Sequence, residues 1–462
     1  MDPVVQSVAP RLDALAARFL LEKRLPGLAV GVVRDGALAW STALGFADRA
    51  TARRVTTDTP FRVASITKSF TATAVLQLRD ERRLRLDDPL VTYVPEARSI
   101  ADPFGPIEDV TIRRLLTHSS GLQGDVSPKD PWEWRLVADD ELLADLDRVA
   151  VMAAPDTDWR YSNLGYALLG IAVGRVVDEP FEAYVQRCII DVAGLRSTSY
   201  FPSGDLAARS ATGYGPRRYD DDVAVSRGFD SSMLYADGGL WSTVEDLARW
   251  LVVQSRTGDH DRRGDGDRVL DGGTLREMQH ATVIANADWT YGQGLGWGST
   301  RIGEDVWVGH TGSLDGFRAI VLFRPSDRLG VIALANGSVR PTLAKEIATI
   351  VLEAHRAAAP TLPDQPPAPT PAAWRELVGF YREDNYGLAL QIEVLDGALA
   401  LIDADDPSDQ SKLAPTEDPL LFTFAEGELI GERCQFLRNA AGVIAGVNVA
   451  GAPLRRLVPV ER

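Results

Sequence analysis

The chain has 462 residues, with 49 Lys and Arg against 65 Asp and Glu, so its formal net charge at pH 7 is −16. This length predicts two or three domains that can bury a large core. The acidic balance argues against a nucleic acid or an anionic membrane surface as partner, because both are bound through a concentrated basic face.

The first residues predict a helix and not a signal peptide. Charged residues such as Asp2 and Arg11 interrupt any apolar core, and Val5–Leu21 has the spacing of an amphipathic helix. No run approaches the roughly 18 apolar residues of a membrane-spanning helix. The two cysteines, Cys188 and Cys434, lie far apart and indicate buried thiols in a reducing compartment. A cytoplasmic protein is therefore expected.

Apolar runs at both ends of the first 356 residues predict one antiparallel sheet. Gly27–Val33 and Ala37–Leu44 are joined by Asp35-Gly36, which is a strong hairpin signal. Strand-like runs recur later as VWVGHTG, FRAIVLFRP and LGVIALANG. A helix is predicted over Pro341–Arg356. The expected fold is α/β, with an antiparallel sheet flanked by helices and a mainly helical part over about 65–290.

A proline-rich segment predicts a boundary between two domains. Six prolines fall within Ala357–Ala373, which favours a stiff extended linker. It separates residues 1–356 from residues 374–462. The latter contain short alternating runs between Gly, Asp and Asn turns, and they predict a small all-β barrel or sandwich.

Ser65 and Lys68 form the first candidate for chemistry, in the segment FRVASITKSFTATAVLQLRD. The residues after Ser65 predict a helix, which places the serine near the positive end of the helix dipole and Lys68 on the same face. Apolar surroundings disfavour the charged form of an amine, so a neutral lysine here can take the serine proton. Alone, the pair also fits an N-cap serine with an exposed lysine.

Tyr161 and Asn163 form the second candidate, just before the apolar helical run of DWRYSNLGYALLGIAVGRVV. A tyrosine beside a lysine ammonium can act as a general base. An asparagine can donate to an acyl amide and accept from a lysine. Alone, the segment also fits a turn with a packed tyrosine.

His310, Thr311 and Gly312 form the third candidate at the end of VWVGHTG, and Ser313 follows them. A glycine lets a substrate backbone lie along a strand edge. A backbone N–H just after it can form half of an oxyanion hole. Alone, a histidine at a strand end is more often structural.

The three motifs occur in the order Ser-x-x-Lys, Tyr-x-Asn and x-Thr-Gly. In this respect the chain resembles the penicillin-recognising serine enzymes, in the branch of class C β-lactamases, D-aminopeptidases and esterases. The stretches LLTHSSGL, DGGLWSTVEDLARW and YGQGLGW look like those of the same branch. The resemblance implies a serine β-lactamase-like catalytic domain over 1–356. The part that begins LVGFYR looks like the lipocalin-like barrel often appended to it.

The resemblance also implies a role for each motif residue. Ser65 would be the nucleophile that forms an acyl-enzyme, and Lys68 would activate it. Tyr161 would pass the proton to the leaving group and later activate the acceptor, while Asn163 would orient Lys68 and the substrate amide. The backbone N–H groups of Ser65 and Ser313 would form the oxyanion hole.

His310 departs from the family pattern, in which the third motif usually begins with lysine. A lysine suits the carboxylate of a penicillin or a peptide C-terminus, whereas a histidine is largely neutral at pH 7. This difference argues against β-lactamase and carboxypeptidase activity. Trp241 and Trp297 flank loops near the second and third motifs in the family pattern, and one or both are expected to wall an apolar acyl pocket.

Two activities remain open. One is a hydrolase, such as an esterase, amidase or D-aminopeptidase. The other is an acyltransferase. It is favoured by the layout of the chain, which resembles that of penicillin-binding-protein-type thioesterases most closely. These take an activated or carrier-bound non-ribosomal peptide ending in a D-residue and close it head to tail. The expected substrate is a peptidyl thioester, ester or amide, with a peptidyl carrier protein as candidate partner.

Other chemistries find less support in the sequence. No Gly-x-Ser-x-Gly elbow of an α/β-hydrolase occurs, and the five scattered histidines form no HExxH motif. Asp259-His260-Asp261 falls in a polar stretch, residues 255–268, that favours a solvated loop over a metal site. A catalytically inactive binding module is disfavoured because Ser65 and Lys68 are both intact. No metal and no cofactor are expected.

Overall fold

The computed structural model describes residues 2–125, 139–215, 225–226, 235–256, 269–358, 371–382, 389–395, 397–403, 410–425 and 429–457. The chain divides into two compact units, Met1–Ala359 and Pro360–Arg462. Most of the proline-rich segment, residues 359–370, lies outside the described residues, as do residues 257–268 of the polar stretch.

The first unit combines helices with strands, as the sequence predicts. Its helices are α1 (Pro3–Glu22), α2 (Thr67–Asp80), α3 (Ile112–Leu116), α4 (Asp139–Ala144), α5 (Asn163–Val177), α6 (Phe181–Val185), α7 (Gly204–Arg209), α8 (Val244–Gln254), α9 (Gly272–Gln279) and α10 (Leu343–Ala358). Its strands are β1 (Gly27–Arg34), β2 (Ala37–Asp48), β3 (Arg53–Arg54), β4 (Phe61–Arg62), β5 (Trp241–Ser242), β6 (Val283–Ile284), β7 (Tyr291–Gln293), β8 (Gly298–Ile302), β9 (Asp305–Leu314), β10 (Phe317–Arg324) and β11 (Leu329–Ala335). Helix α10 runs two residues past the predicted end at Arg356, into the predicted linker.

One antiparallel sheet joins the two ends of this unit. In the described residues its order is β3-β2-β1-β11-β10-β9-β8-β7-β6, and Val30 of β1 lies opposite Ala333 of β11. The hairpin from β1 to β2 turns at Asp35 and Gly36, with φ of 48° and 86°, which are the values that an Asp-Gly hairpin turn requires. The prediction of a single sheet from distant halves is confirmed.

Buried side chains on both faces of the sheet explain the continuous apolar strands. Leu28, Val30 and Val32 of β1 belong to the core that includes the apolar faces of α1 and α10. Ala29 and Val33 belong to the core on the opposite face, together with residues of α2, α5 and α8. Successive side chains of a strand point to opposite faces, so β1 has to be apolar throughout.

The second unit contains a closed antiparallel barrel in its described residues. Its strands are β12 (Gly379–Arg382), β13 (Ala389–Leu395), β14 (Ala398–Asp403), β15 (Gln410–Pro415), β16 (Leu421–Phe424), β17 (Arg433–Arg438), β18 (Ile444–Val449) and β19 (Ala452–Arg456). Tyr381, Ile392, Phe422 and Phe436 are among its buried core. The prediction of an all-β barrel is confirmed, and a 3-10 turn over Ala372–Glu376 precedes the first strand.

Within the described ranges, no helix has both the length and the apolar composition needed to cross a bilayer.

Candidate active site

Ser65 lies in a 3-10 turn, Ala64–Ile66, directly before α2. Ala64 has a φ of 47°, in the left-handed region that non-glycine residues rarely adopt. The Val63 N–H donates to the Leu240 carbonyl at 3.0 Å, which ties the start of this turn to a distant segment. Helix α2 is anchored beyond it by fully buried apolar residues, Phe70 among them. The serine is therefore held, half-buried, at the N-terminal end of a fixed helix.

Lys68 is fully buried in the first turn of α2, and three oxygen atoms of the described residues lie within hydrogen-bonding distance of its side-chain nitrogen. Its Nζ lies 2.8 Å from Asn163 Oδ1, 2.8 Å from the Asp237 carbonyl and 3.4 Å from Ser65 Oγ. The two carbonyl oxygens can only accept, so they take two N–H groups. When Lys68 is neutral, its remaining lone pair can accept the hydrogen bond of the Ser65 O–H. When Lys68 is protonated, its third N–H can donate to Ser65 Oγ. This geometry fits both ends of a proton transfer from serine to lysine.

The Tyr161–Asn163 segment brings the second motif to the same lysine. Ser162 caps α5, because its hydroxyl accepts from the Gly165 N–H at 2.9 Å, and Asn163 begins the helix. The Tyr161 ring centroid lies 5.0 Å from Lys68 Nζ. Asn163 Nδ2 also approaches an Asp125 carboxylate oxygen at 3.4 Å. The structure thus brings Ser65, Lys68, Tyr161 and Asn163 together although they are far apart in sequence.

Strand β9 carries the third motif past the nucleophile. Its pairing with β8 runs from Asp305 to Gly309, so the edge beyond Gly309 on that side has no neighbouring strand among the described residues. A Cβ at Gly312 would lie 2.1 Å from the carbonyl oxygen of Val63, two residues before the nucleophile. Only glycine permits this approach. Thr311 and Ser313 have exposed side chains beside it.

His310 is buried next to the lysine and is neutral. Its Nδ1–H donates to the Thr311 carbonyl at 2.7 Å, and its ring centroid lies 6.3 Å from that of Tyr161. Burial, together with the positive charge of Lys68, lowers the pKa of His310 to about 4. The third motif therefore offers no cation at neutral pH, as its sequence suggests.

The comparisons with known proteins assign the family. A model of the β-lactamase family matches residues 11–356. The chain belongs to the β-lactamase family. Protein flp from Staphylococcus aureus (strain MRSA252) is 24% identical to it over 333 residues. The match covers 71% of this chain but 62% of that protein, so the chain spans less than two thirds of the length of this curated relative.

Solved structures of this β-lactamase family fold include chains that match both units. The octameric penicillin-binding protein homologue from Pyrococcus abyssi has a TM-score of 0.63 at 21% identity, over 96% of this chain and 99% of that chain. SurE has a TM-score of 0.61 at 25% identity, over 98% and 99%. A structure of SurE with D-Leu matches with a TM-score of 0.58 at 25% identity, over 98% and 100%.

Of the two tryptophans that were predicted to wall an acyl pocket, Trp297 lies elsewhere in the structure. Trp297 has no exposed surface; its Nε1–H donates to Gln254 Oε1 at 3.1 Å and its ring packs edge-on against Phe323. It is a core residue, because the loop before it turns inward, and the pocket role predicted for it does not fit. Trp241 is half-buried, with its ring centroid 5.5 Å from that of Phe317.

The sequence analysis assigned no role to two buried residues of the site, although both lie in stretches that look like those of the family. Asp237, from DGGLWSTVEDLARW, has its carboxylate 4.0 Å from Lys68 Nζ. Burial raises the pKa of Asp237 to about 6, although the charge of Lys68 acts in the opposite direction. His118, from LLTHSSGL, is 1% exposed and packs against the Tyr161 ring. Their proximity depends on the tertiary fold, so spacing along the chain gives no signal for it.

The depressed pKa of His310 predicts a loss of stability at acid pH. An unfolded histidine takes up a proton near pH 6.5, whereas His310 in the folded protein does so near pH 4. The unfolded state therefore binds more protons in this window, and stability falls as the pH falls from 6.5 toward 4. Between pH 7 and pH 5 this group accounts for a decrease of about 2 kcal/mol in the free energy of unfolding.

The check is urea denaturation at both pH values for the wild type and His310→Asn. Asparagine keeps an N–H donor for the Thr311 carbonyl but does not titrate. The variant should lose less stability on acidification, and the measured quantity is the difference between the two curves. Equal losses in both proteins would contradict the assignment.

The close approach at Gly312 predicts a sensitive position. In Gly312→Ala the new Cβ would have to displace β9 from the turn that carries Ser65, since the atom 2.1 Å away is backbone. A misplacement of about 1 Å can lower the rate about 100-fold. Steady-state kinetics of the folded variant measures the loss. Gly273→Ala is the control, because the nearest atom to its Cβ is a flexible arginine end at 3.9 Å, and it should retain full activity.

Proposed function

We propose that the protein is a serine acyltransferase that works through an acyl-enzyme on Ser65. The observation that carries the proposal is the three-way contact of Lys68 Nζ with Ser65 Oγ, Asn163 Oδ1 and the Asp237 carbonyl. A fully buried lysine so placed can accept the serine proton and return it. The same geometry serves every acyl donor, so the choice of substrate depends on the rest of the site.

The acylation step would move one proton and exchange one bond. Ser65 Oγ attacks the substrate carbonyl while its proton passes to Lys68. The resulting oxyanion lies between the backbone N–H groups of Ser65 and Ser313. The carbon–sulfur or carbon–nitrogen bond then breaks, and the leaving thiolate or amine receives the proton through Tyr161. An ester between Ser65 and the acyl group remains.

The acyl group is proposed to be a peptide that ends in a D-residue. The neutral His310 leaves the third motif without a cation for a free carboxylate beside the scissile bond. Such a site favours a thioester, ester or amide whose carbonyl is the end of the peptide. SurE, whose likeness spans both units, was solved with D-Leu, which supports a D-configured acyl residue. A peptidyl carrier protein is the proposed source of the thioester.

The acceptor is proposed to be the amine at the other end of the same peptide. Attack of this amine on the Ser65 ester forms an amide and breaks the bond to Ser65 Oγ, while the amine proton passes through Tyr161 to the departing serine oxygen; the product is a ring. Holding both ends in one site replaces a reaction between two molecules by an internal one, which favours ring closure over hydrolysis. The proposed activity is head-to-tail macrolactamisation.

A single mass measurement tests both steps. A peptidyl N-acetylcysteamine thioester with a C-terminal D-residue and a free N-terminus is incubated with the wild type and with Ser65→Ala. Loss of the thiol without further mass gain indicates cyclisation, whereas a gain of one water indicates the alternative, a hydrolase. Turnover or fluorophosphonate labelling that persists in Ser65→Ala would overturn the acyl-enzyme proposal.

A further inference from the structure

His118 has a strained backbone conformation and packs against Tyr161 of the second motif. It follows α3 with a φ of 57°, and its side chain is 1% exposed. A non-glycine residue in the left-handed region persists only where its surroundings require it, and such residues cluster at functional sites. The contacts of His118 show what requires it.

His118 accepts two hydrogen bonds, one from the residue on each side of Tyr161. Its carbonyl accepts from the Arg160 N–H at 2.8 Å, and its Nδ1 accepts from the Ser162 N–H at 3.1 Å. The ring itself lies against Tyr161, with 4.4 Å between the ring centroids. One residue thus holds the backbone on both sides of Tyr161 and the face of its ring.

The same contact reaches Asn163. Ser162 is the N-cap of α5, so fixing its backbone fixes where the helix begins and where Asn163 stands. Asn163 Oδ1 in turn accepts from Lys68. A displacement of His118 would therefore move two of the partners of the lysine at once.

His118 can do this only as a neutral imidazole. Because Nδ1 accepts a hydrogen bond, the proton of the ring is on Nε2, which is buried and has no partner in the described part of the chain. A second proton would lie on Nδ1, so two N–H donors would face each other and the hydrogen bond from the Ser162 N–H would be lost. Burial, together with the positive charge of Lys68, holds the pKa of His118 well below its usual value. Among the described residues, the rings that face it belong to Tyr161, Tyr166 and Trp159.

We propose that His118 is a positioning residue, which sets Tyr161 and Asn163 against Lys68 through the acceptor at Nδ1, a role that rests on the proposed acyl-enzyme function. It does not touch the reacting atoms. Removing the acceptor is expected to lower kcat while leaving KM nearly unchanged, because binding of the substrate does not depend on this hydrogen bond.

A pair of amide variants isolates the acceptor. His118→Asn places an oxygen close to the position of Nδ1 and tolerates a positive φ. His118→Gln carries the same amide one methylene further out, so its oxygen cannot reach the Ser162 N–H in the same way. We expect kcat of the Asn variant within about threefold of the wild type, and kcat of the Gln variant lower by about 100-fold.

The control is Thr117→Val, also buried in this loop. The Thr117 hydroxyl contacts the Arg113 carbonyl and Ser119, not the Tyr161 turn, so the variant should keep its kcat. Rates are measured with the peptidyl thioester on protein shown to be folded by near-ultraviolet circular dichroism. Equal kcat values for the Asn and Gln variants, or changes in thermal stability alone, would overturn the positioning role. A wild type that neither turns over the thioester nor reacts with a fluorophosphonate would instead refute the proposed function, and the positioning role with it.

Discussion

Replacing Lys68 with methionine is expected to lower the rate of Ser65 acylation about 10⁴-fold, because general-base catalysis by a positioned side chain contributes up to that factor. Methionine fills a similar volume but cannot take a proton. Lys68→Arg is expected to lose as much, since a guanidinium stays charged and cannot act as a base. The measurement is the rate of fluorophosphonate labelling in single turnover, with the folded fraction determined for each variant.

Lys345→Met is the matched control, since this lysine is exposed on α10, which packs on the face of the sheet opposite to α2. It should label at the wild-type rate. Lys68→Met also leaves Asn163 Oδ1 and the Asp237 carbonyl without the donor that Lys68 supplies, which costs about 1–3 kcal/mol of stability for each unsatisfied buried group. A Lys68→Met protein that labels within tenfold of the wild type would refute the role of the lysine.

The sheet could be predicted from the sequence because its signals are local. Asp35-Gly36 specifies a tight turn whatever surrounds it, and the apolar runs on either side are long enough to be strands. That the two ends share one sheet was predicted, but the pairing of β1 with β11 is known only from the structure. The end of α10 was placed two residues early, since a helix end depends on local hydrogen bonds that periodicity does not report.

The motifs were predictable as residue types but not as an arrangement. Serine, lysine, tyrosine and asparagine in a familiar order indicated the chemistry, and the structure places Lys68 within 3.4 Å of both Ser65 Oγ and Asn163 Oδ1. The contacts of Asp237 and His118 were not predicted, because they form between segments that meet only in the folded chain. Their local sequences look like ordinary turns.

For Trp297 the sequence predicted a role in the site that the structure does not support. Its neighbourhood in the sequence, YGQGLGW, suggested a pocket wall, yet the glycines allow the chain to turn the indole into the core. A Cβ at Gly296 would lie 2.4 Å from the Ala72 side chain, so this loop packs directly on α2. Large aromatic residues bury much apolar area, and burial competes with any exposed role. Sequence alone does not decide that competition.

Tyr161→Phe is expected to separate two parts of the reaction. The substitution removes the hydroxyl and keeps the ring that packs on His118 and lies 5.0 Å from Lys68 Nζ. A thiol leaves readily as a thiolate, whereas an amine leaving group has to be protonated as its bond breaks. The loss should therefore be greater for amide substrates, about 10³-fold in kcat, than for acylation by a thioester.

Tyr166→Phe controls for the loss of a buried hydroxyl near the same lysine. The Tyr166 ring lies 5.4 Å from Lys68 Nζ, but its hydroxyl donates to the Leu116 carbonyl at 2.8 Å and is committed there. This variant should lose about 1 kcal/mol of stability and keep its kcat for both substrates. Because the two variants differ only in which hydroxyl is removed, equal losses of kcat would mean that the effect is not specific to the Tyr161 hydroxyl and would contradict proton transfer through it. A loss in Tyr161→Phe that is the same for amide and thioester would place its hydroxyl in acceptor activation alone, since that step is shared by both substrates.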